Sequence, residues 1–229
     1  DLLFAVHTPD NRLAIYRVGD TGLALAAEVA VGLEPTAVAA RVGTNGALEA
    51  WVVNHLSDSV SVVAVDPLDP TRSRVTHTLL VGDEPRDIVF AGSGGSRAFV
   101  TAARRGQNRF PGEEADGPQL TAEGVGRADV WVFATDAPGT DPLAIVQLFG
   151  DSPGALAAAP DGSRVYASVF HSGNRTTAIN ESSRASVGPL PPPPPGGRLD
   201  GPSTGLIVAL DPASGSWRDE AGTDWSATV

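Results

Sequence analysis

The chain has 229 residues, 16 basic and 27 acidic, for a formal charge of −11, and it contains no Lys, Cys or Met. Those absences remove Schiff-base and phosphate-loop lysines, thiolate nucleophiles, thiolate metal sites, disulfides and covalent c-type haem. An acidic surface without a basic stripe argues against nucleic acid and anionic membranes as partners, and no apolar stretch approaches the ~18 residues of a membrane span.

In chain order, the first thirty residues hold three apolar runs, at 3–6, 13–18 and 23–29. A phrase then opens at Val31-Gly32-Leu33-Glu34-Pro35 and recurs as Val81-Gly82-Asp83-Glu84-Pro85 and Phe149-Gly150-Asp151-Ser152-Pro153. After each Pro comes an apolar run (36–40, 86–90, 154–159) and a polar turn: Gly43-Thr44-Asn45-Gly46, Gly92-Ser93-Gly94-Gly95-Ser96, or Pro160-Asp161-Gly162-Ser163. An aromatic-led run follows (51–53, 99–101, 166–169), then a run ending at Asp (60–66, 129–136, 206–211). A fourth run closes the unit at 75–80, at 145–149 and, less distinctly, beyond Trp217.

Runs of four to eight residues, rich in Val and bounded by Gly, Pro, Asp and Asn, are strands joined by hairpins. Asn45-Gly46 and Asp161-Gly162 suit hairpin turns because they accept positive φ cheaply. Trp51-Val52-Val53 and Val60-Ser61-Val62-Val63 are apolar on both faces, as a sheet packed between neighbouring sheets requires. Four short antiparallel strands per unit, repeating at roughly 40–50 residues, describe β-propeller blades. The expectation is an all-β fold: one propeller segment over residues 1–229 with about four blades. The blade units are 1–30 (partial, lacking its first strand), 31–80, 81–149 and 150–229. The segment is expected to belong to a larger propeller, because a ring must close to remove its edge strands.

Three phrases carry a family likeness: Val81-Gly82-Asp83-Glu84-Pro85-Arg86; Pro160-Asp161-Gly162-Ser163-Arg164-Val165-Tyr166; and Trp51-Val52-Val53-Asn54 followed by Asp58-Ser59-Val60-Ser61-Val62-Val63. Together they resemble the YVTN-repeat β-propellers of the lactonase-like seven-bladed superfamily. That family strings together a Gly-x-x-Pro turn, a Pro-Asp-Gly turn, a Tyr-Val-Thr-Asn box and a Ser-Val-Ser-Val-Ile-Asp strand. Two units depart from the box, since residues 99–102 and 166–169 lack its Asn. The resemblance implies a fold more firmly than a function, because such propellers serve many roles.

The repeat is interrupted twice. Pro35 to Pro85 spans 50 residues but Pro85 to Pro153 spans 68, the excess lying between second and third strands at about 104–127. A longer excursion, about 171–203, occupies the equivalent place in the last unit and contains a polyproline run at 191–195, an extended spacer. Meander topology puts both insertions on the face of the Gly-x-x-Pro turns and of residues 55–58. Long loops on a rigid scaffold are where binding concentrates. The candidate binding residues there are His55, Asp58, Arg86, Arg104, Arg105, Arg109, His171, Asn174 and Arg175. The arginines of the first insertion either grip a carboxylate or phosphate or pair with Glu113 and Glu114. His7, His55 and His171 fall near second-strand ends and are weak candidates for a metal site, offset within their repeats; no metal or other cofactor is expected.

No catalytic constellation is present, and Gly92-Ser93-Gly94-Gly95-Ser96 lacks the Lys and helix of a phosphate loop. The leading expectation is a non-enzymatic, extracytoplasmic bacterial module, periplasmic or secreted, that binds a protein, a polysaccharide or an envelope component. The resemblance implies two alternatives: a propeller domain of a periplasmic redox protein holding haem, copper or a quinone, or a lactonase-like hydrolase.

Overall fold

A computed structural model describes residues 1–43, 45–106, 108, 128–148, 150–172, 176–179 and 206–229. The chain divides into two compact units, Asp1–Phe170 and His171–Val229.

The first unit is built from antiparallel meanders. Strands β1 (Leu2–His7), β2 (Arg12–Gly19) and β3 (Gly22–Ala30) form a three-stranded sheet in the order β1-β2-β3. Strands β4 (Pro35–Val42), β5 (Leu48–Asn54), β6 (Ser59–Val65) and β7 (Arg74–Leu80) form a four-stranded sheet in sequence order. A second four-stranded sheet holds β8 (Ile88–Ala91), β9 (Arg97–Ala102), β10 (Ala128–Ala134) and β11 (Ala144–Leu148). The hairpin of β12 (Gly150–Ala158) and β13 (Val165–Ser172) follows. These all-β sheets are propeller blades, the first of them partial. Among the described residues no helix is long and apolar enough to cross a membrane.

Two-sided burial explains the Val-rich runs. Along β5, Ala50 and Val52 pack with Leu13, Ile15 and Val29 of the first sheet, while Trp51 and Val53 pack with Ile88, Val100 and Trp131 of the third. Side chains alternate faces along a strand, so a strand between two neighbours must be apolar at every position. Strand β7, at the outer edge of its sheet, is exposed at Arg74, Thr76, His77, Thr78 and Leu80.

The second unit contains β14 (Thr176–Ile179), β15 (Leu206–Asp211) and β16 (Ser216–Arg218) in one antiparallel sheet. Strand β14 lies within the stretch read from the sequence as an insertion. Four residues between Ser- and Asn-rich flanks offer no periodicity, and pairing with β15 in the register Thr177↔Val208 is what makes them a strand. Ile179, Val208 and Trp225 are buried together. The Trp225 indole N–H donates to Asp219 Oδ2 at 3.0 Å. Burial pushes the Asp219 carboxyl up, but hydrogen bonds from Trp225 and from Thr223 outweigh it and hold the carboxyl below its ordinary 3.8.

A depressed carboxyl stabilises the fold above its unfolded pKa and ceases to do so as pH falls through the folded one. The Trp225 indole resonance is therefore expected to titrate below pH 3.8, with this unit losing stability over that fall. Asp219→Asn should abolish the titration; a midpoint at or above the ordinary carboxylate value would show that burial wins.

Candidate functional site

The recurring Gly-x-x-Pro phrase is a latch between consecutive sheets. Glu34 and Glu84 adopt left-handed φ values of 54° and 51°, which cost a non-Gly residue free energy and need support. The support comes from the preceding sheet. Asn11 Oδ1 accepts the Glu34 N–H at 2.7 Å, and Asp58 Oδ1 accepts the Glu84 N–H at 3.0 Å. Asn11 and Asp58 are themselves left-handed (φ 54° and 47°), a conformation their short polar side chains tolerate. Their carbonyls take the N–H groups of Val31 and Val81, each at 3.0 Å. Ser152, at φ 53°, continues the series.

A second repeated clamp explains His55. Thr8 Oγ1 donates to the Pro35 carbonyl at 2.8 Å, and at the equivalent position His55 Nδ1 lies 3.1 Å from the Pro85 carbonyl. A carbonyl accepts, so His55 carries its proton on Nδ1. Gly32 and Gly82 complete the latch by close approach. A Cβ on Gly32 would fall 2.5 Å from Ser57 Oγ and 2.6 Å from Asn54. One on Gly82 would strike the Arg104 carbonyl, Ala102 Cβ and the Trp131 indole.

Buried Asn54 donates to Ser59 and Ser61 at 3.1 and 3.0 Å; Ala102 stands in its place in the next sheet, so the missing box Asn is a local exchange. Gly82→Ala is expected to cost about 1–3 kcal/mol, as overpacking does. Gly19→Ala, whose Cβ would meet just the Gly22 carbonyl at 3.7 Å, should be near neutral. Denaturant midpoints of the two variants compare them directly.

The insertion after β9 starts from a built base. The Ala103 N–H donates to the Asp83 carbonyl (2.8 Å), the Asp83 N–H to the Arg104 carbonyl (3.0 Å), and Arg104 Nε to Asp83 Oδ2 (3.0 Å). Arg105 Nε reaches Asp129 Oδ2 at 2.8 Å, with its Nη2 3.4 Å from Oδ1. Asp129, the second residue of β10, is fully buried. Asn108 Nδ2 donates to the carbonyls of Val81 (3.0 Å) and Asp58 (3.3 Å). Both ends of the excursion are thus tied to the scaffold.

Of the candidates read from the sequence, His55, Asp58, Arg86, Arg104 and Arg105 meet at this junction of the second and third sheets. Arg86 is half-exposed beside Glu84, 3.8 Å away, and its carbonyl accepts from Thr36 Oγ1 at 3.4 Å. Arg104 and Arg105 pair with Asp83 and Asp129; Glu113, Glu114, Arg109, Asn174 and Arg175 lie outside the described residues. His171 is placed by its backbone at the end of β13.

His7 remains within the first sheet, 3.2 Å from Tyr16 Oη and 3.6 Å from Glu28 Oε1. Among the described residues no three His, Asp or Glu side chains gather as metal ligands. Asp83 and Asp129 were not among the candidates read from the sequence. Their signal was position: Asp83 within the recurring phrase, Asp129 near the start of the strand that follows the excursion.

No protein-family model and no curated protein matches the chain. Among solved structures it is similar to Kuenenia stuttgartiensis hydrazine synthase, at 22% identity and TM-score 0.54. The match covers 78% of this chain and 42% of that one, so the chain spans less than half the length of that relative. The likeness is one of fold. A functionally unknown protein from Desulfotomaculum acetoxidans matches at 11% identity and TM-score 0.39, covering 96% and 68% of the two chains. A protein from Lactobacillus plantarum matches at 15% and 0.34, covering 95% and 66%.

Proposed function

We propose that this chain is a non-enzymatic, extracytoplasmic propeller module of the YVTN-repeat type, which binds a protein or polysaccharide of the cell envelope through its loop-bearing face. The observation that carries this reading is the base of the 104–127 excursion. A loop free to drift needs no anchorage, since lengthening costs only about 0.6 kcal/mol per doubling. This one leaves the scaffold through a guanidinium pair with the buried carboxylate of Asp129 and a triple contact at Asp83, features that anchor residues 103–105 to the sheet. Arg86 and Glu84, half-exposed beside it, add polar contact groups of the kind found at interface rims.

The test keeps the base and removes the loop. In the protein, residues 109–126 are replaced by a short Gly-Ser turn, and envelope fractions are cross-linked to both forms. A cross-linked species present with the natural loop and lost with the short one, at unchanged melting temperature, supports the reading. Equal capture by both forms refutes it.

A further inference from the structure

The end of the first unit that carries the β8–β9 turn holds a different feature. The β8–β9 turn and the β12–β13 turn touch there: the Gly92 N–H donates to the Gly162 carbonyl at 2.9 Å. A Cβ on Gly162 would lie 2.8 Å from the Gly92 carbonyl oxygen. The contact leaves no room for slippage, and beside it runs an open groove of about 790 Å³, within the size range of small-molecule sites.

Arg97 and Arg164 both line the groove, both exposed. Five other arginines, Arg41, Arg72, Arg86, Arg104 and Arg105, each face a carboxylate within 4 Å. Neither groove arginine has an ion pair or side-chain hydrogen bond among the described residues, although the chain carries a charge of −11. The hydroxyls of Ser93 and Ser96 are likewise uncommitted among the described residues, while Phe99 and Val165 give an apolar wall. One carboxylate enters the groove, that of Asp161. Its Oδ1 accepts from the Ser163 N–H and hydroxyl at 3.0 and 2.7 Å, which leaves Oδ2 to accept from a ligand.

We propose that this groove binds an acidic sugar of the uronate class, its carboxylate gripped by Arg97 and Arg164 and its hydroxyls met by Ser93, Ser96 and Asp161. Two guanidiniums suit a carboxylate. The fixed negative charge of Asp161 disfavours a phosphate dianion and favours a hydroxyl-rich monoanion. Phe99 and Val165 supply apolar surface for the C–H side of a pyranose ring. The site is separate from the loop-bearing face, so the two proposals stand or fall independently.

The experiment is an amide-resolved NMR titration of the protein with trigalacturonate, galactotriose and inorganic phosphate. Saturable, millimolar-range binding of trigalacturonate is expected, with shifts confined to residues 91–99 and 161–165. Arg97→Gln and Arg164→Gln should each weaken it about tenfold, the equivalent of one lost charge-assisted contact, and galactotriose should bind at least that much more weakly. Both arginines are exposed, so an unchanged melting temperature verifies the fold of the variants. Full affinity in the double variant, phosphate binding as tightly as trigalacturonate, or shifts centred elsewhere would each overturn the assignment. Envelope cross-linking through the loop should be indifferent to both substitutions.

Discussion

Trp51→Ala is expected to destabilise the first unit by about 3–5 kcal/mol, as the loss of a fully buried Trp does elsewhere. Trp51 is completely buried, edge-on to Phe90 at 5.6 Å between centroids, so it fills the space between the second and third sheets. Its indole N–H also donates to Glu49 Oε2 at 3.2 Å.

That carboxylate accepts from Arg41 Nη1 at 3.1 Å; the same nitrogen reaches the Thr135 carbonyl across to the third sheet, and the guanidinium lies 5.8 Å from the Phe90 ring centroid. Truncation therefore opens a cavity and loosens a cation that bridges two sheets. Trp51→Phe, which keeps most of the volume and loses the indole donor, should cost well under half as much. Urea midpoints of the three proteins provide the measurement. Equal losses for Ala and Phe would mean that the Glu49 hydrogen bond, rather than packing, dominates.

The same residue shows how much of the architecture was readable. Trp51-Val52-Val53 is apolar at consecutive positions, and consecutive positions in a strand face opposite ways, so a sheet buried on both sides follows from the sequence. The positions of the latches were equally visible, as Val-Gly-x-Glu-Pro recurring. Their mechanism was hidden, because the partners of Glu34 and Glu84 stand 23 and 26 residues earlier in the chain, in turns that share no residue type at equivalent positions. Asn11 and Asp58 become equivalent only once both are seen left-handed.

His55 illustrates the converse. A histidine at a strand end invites a ligand role, yet aligning it with Thr8 gives a structural one, a donor to the next Pro carbonyl. Local sequence cannot distinguish these, since the acceptor lies 30 residues away. The short strand β14 escaped for a different reason: four residues supply too little pattern, and strand identity there is conferred by pairing.

Asp129→Ala should cost about 3 kcal/mol, toward the lower end for a buried ion pair broken from one side, and roughly 6–12 °C in melting temperature for a chain of this size. The lower end applies because the Arg105 side chain retains 17% exposure and can be partly solvated, whereas Asp129 has none. Asp129→Asn keeps the shape and one acceptor but loses the charge, and should fall between. The double variant Asp129→Ala/Arg105→Ala should recover part of the loss, because no charge is then left without its partner.

This series also separates stability from direction. Arg105 stands at the start of the excursion and Asp129 at its return, so the pair closes the loop's base; if that base aims the loop, Arg105→Ala should impair envelope cross-linking more than its melting temperature accounts for. A loss of cross-linking that tracks stability across all four variants would assign the pair to folding alone, and a double variant no more stable than Asp129→Ala would show that the charge left behind was never the source of the cost.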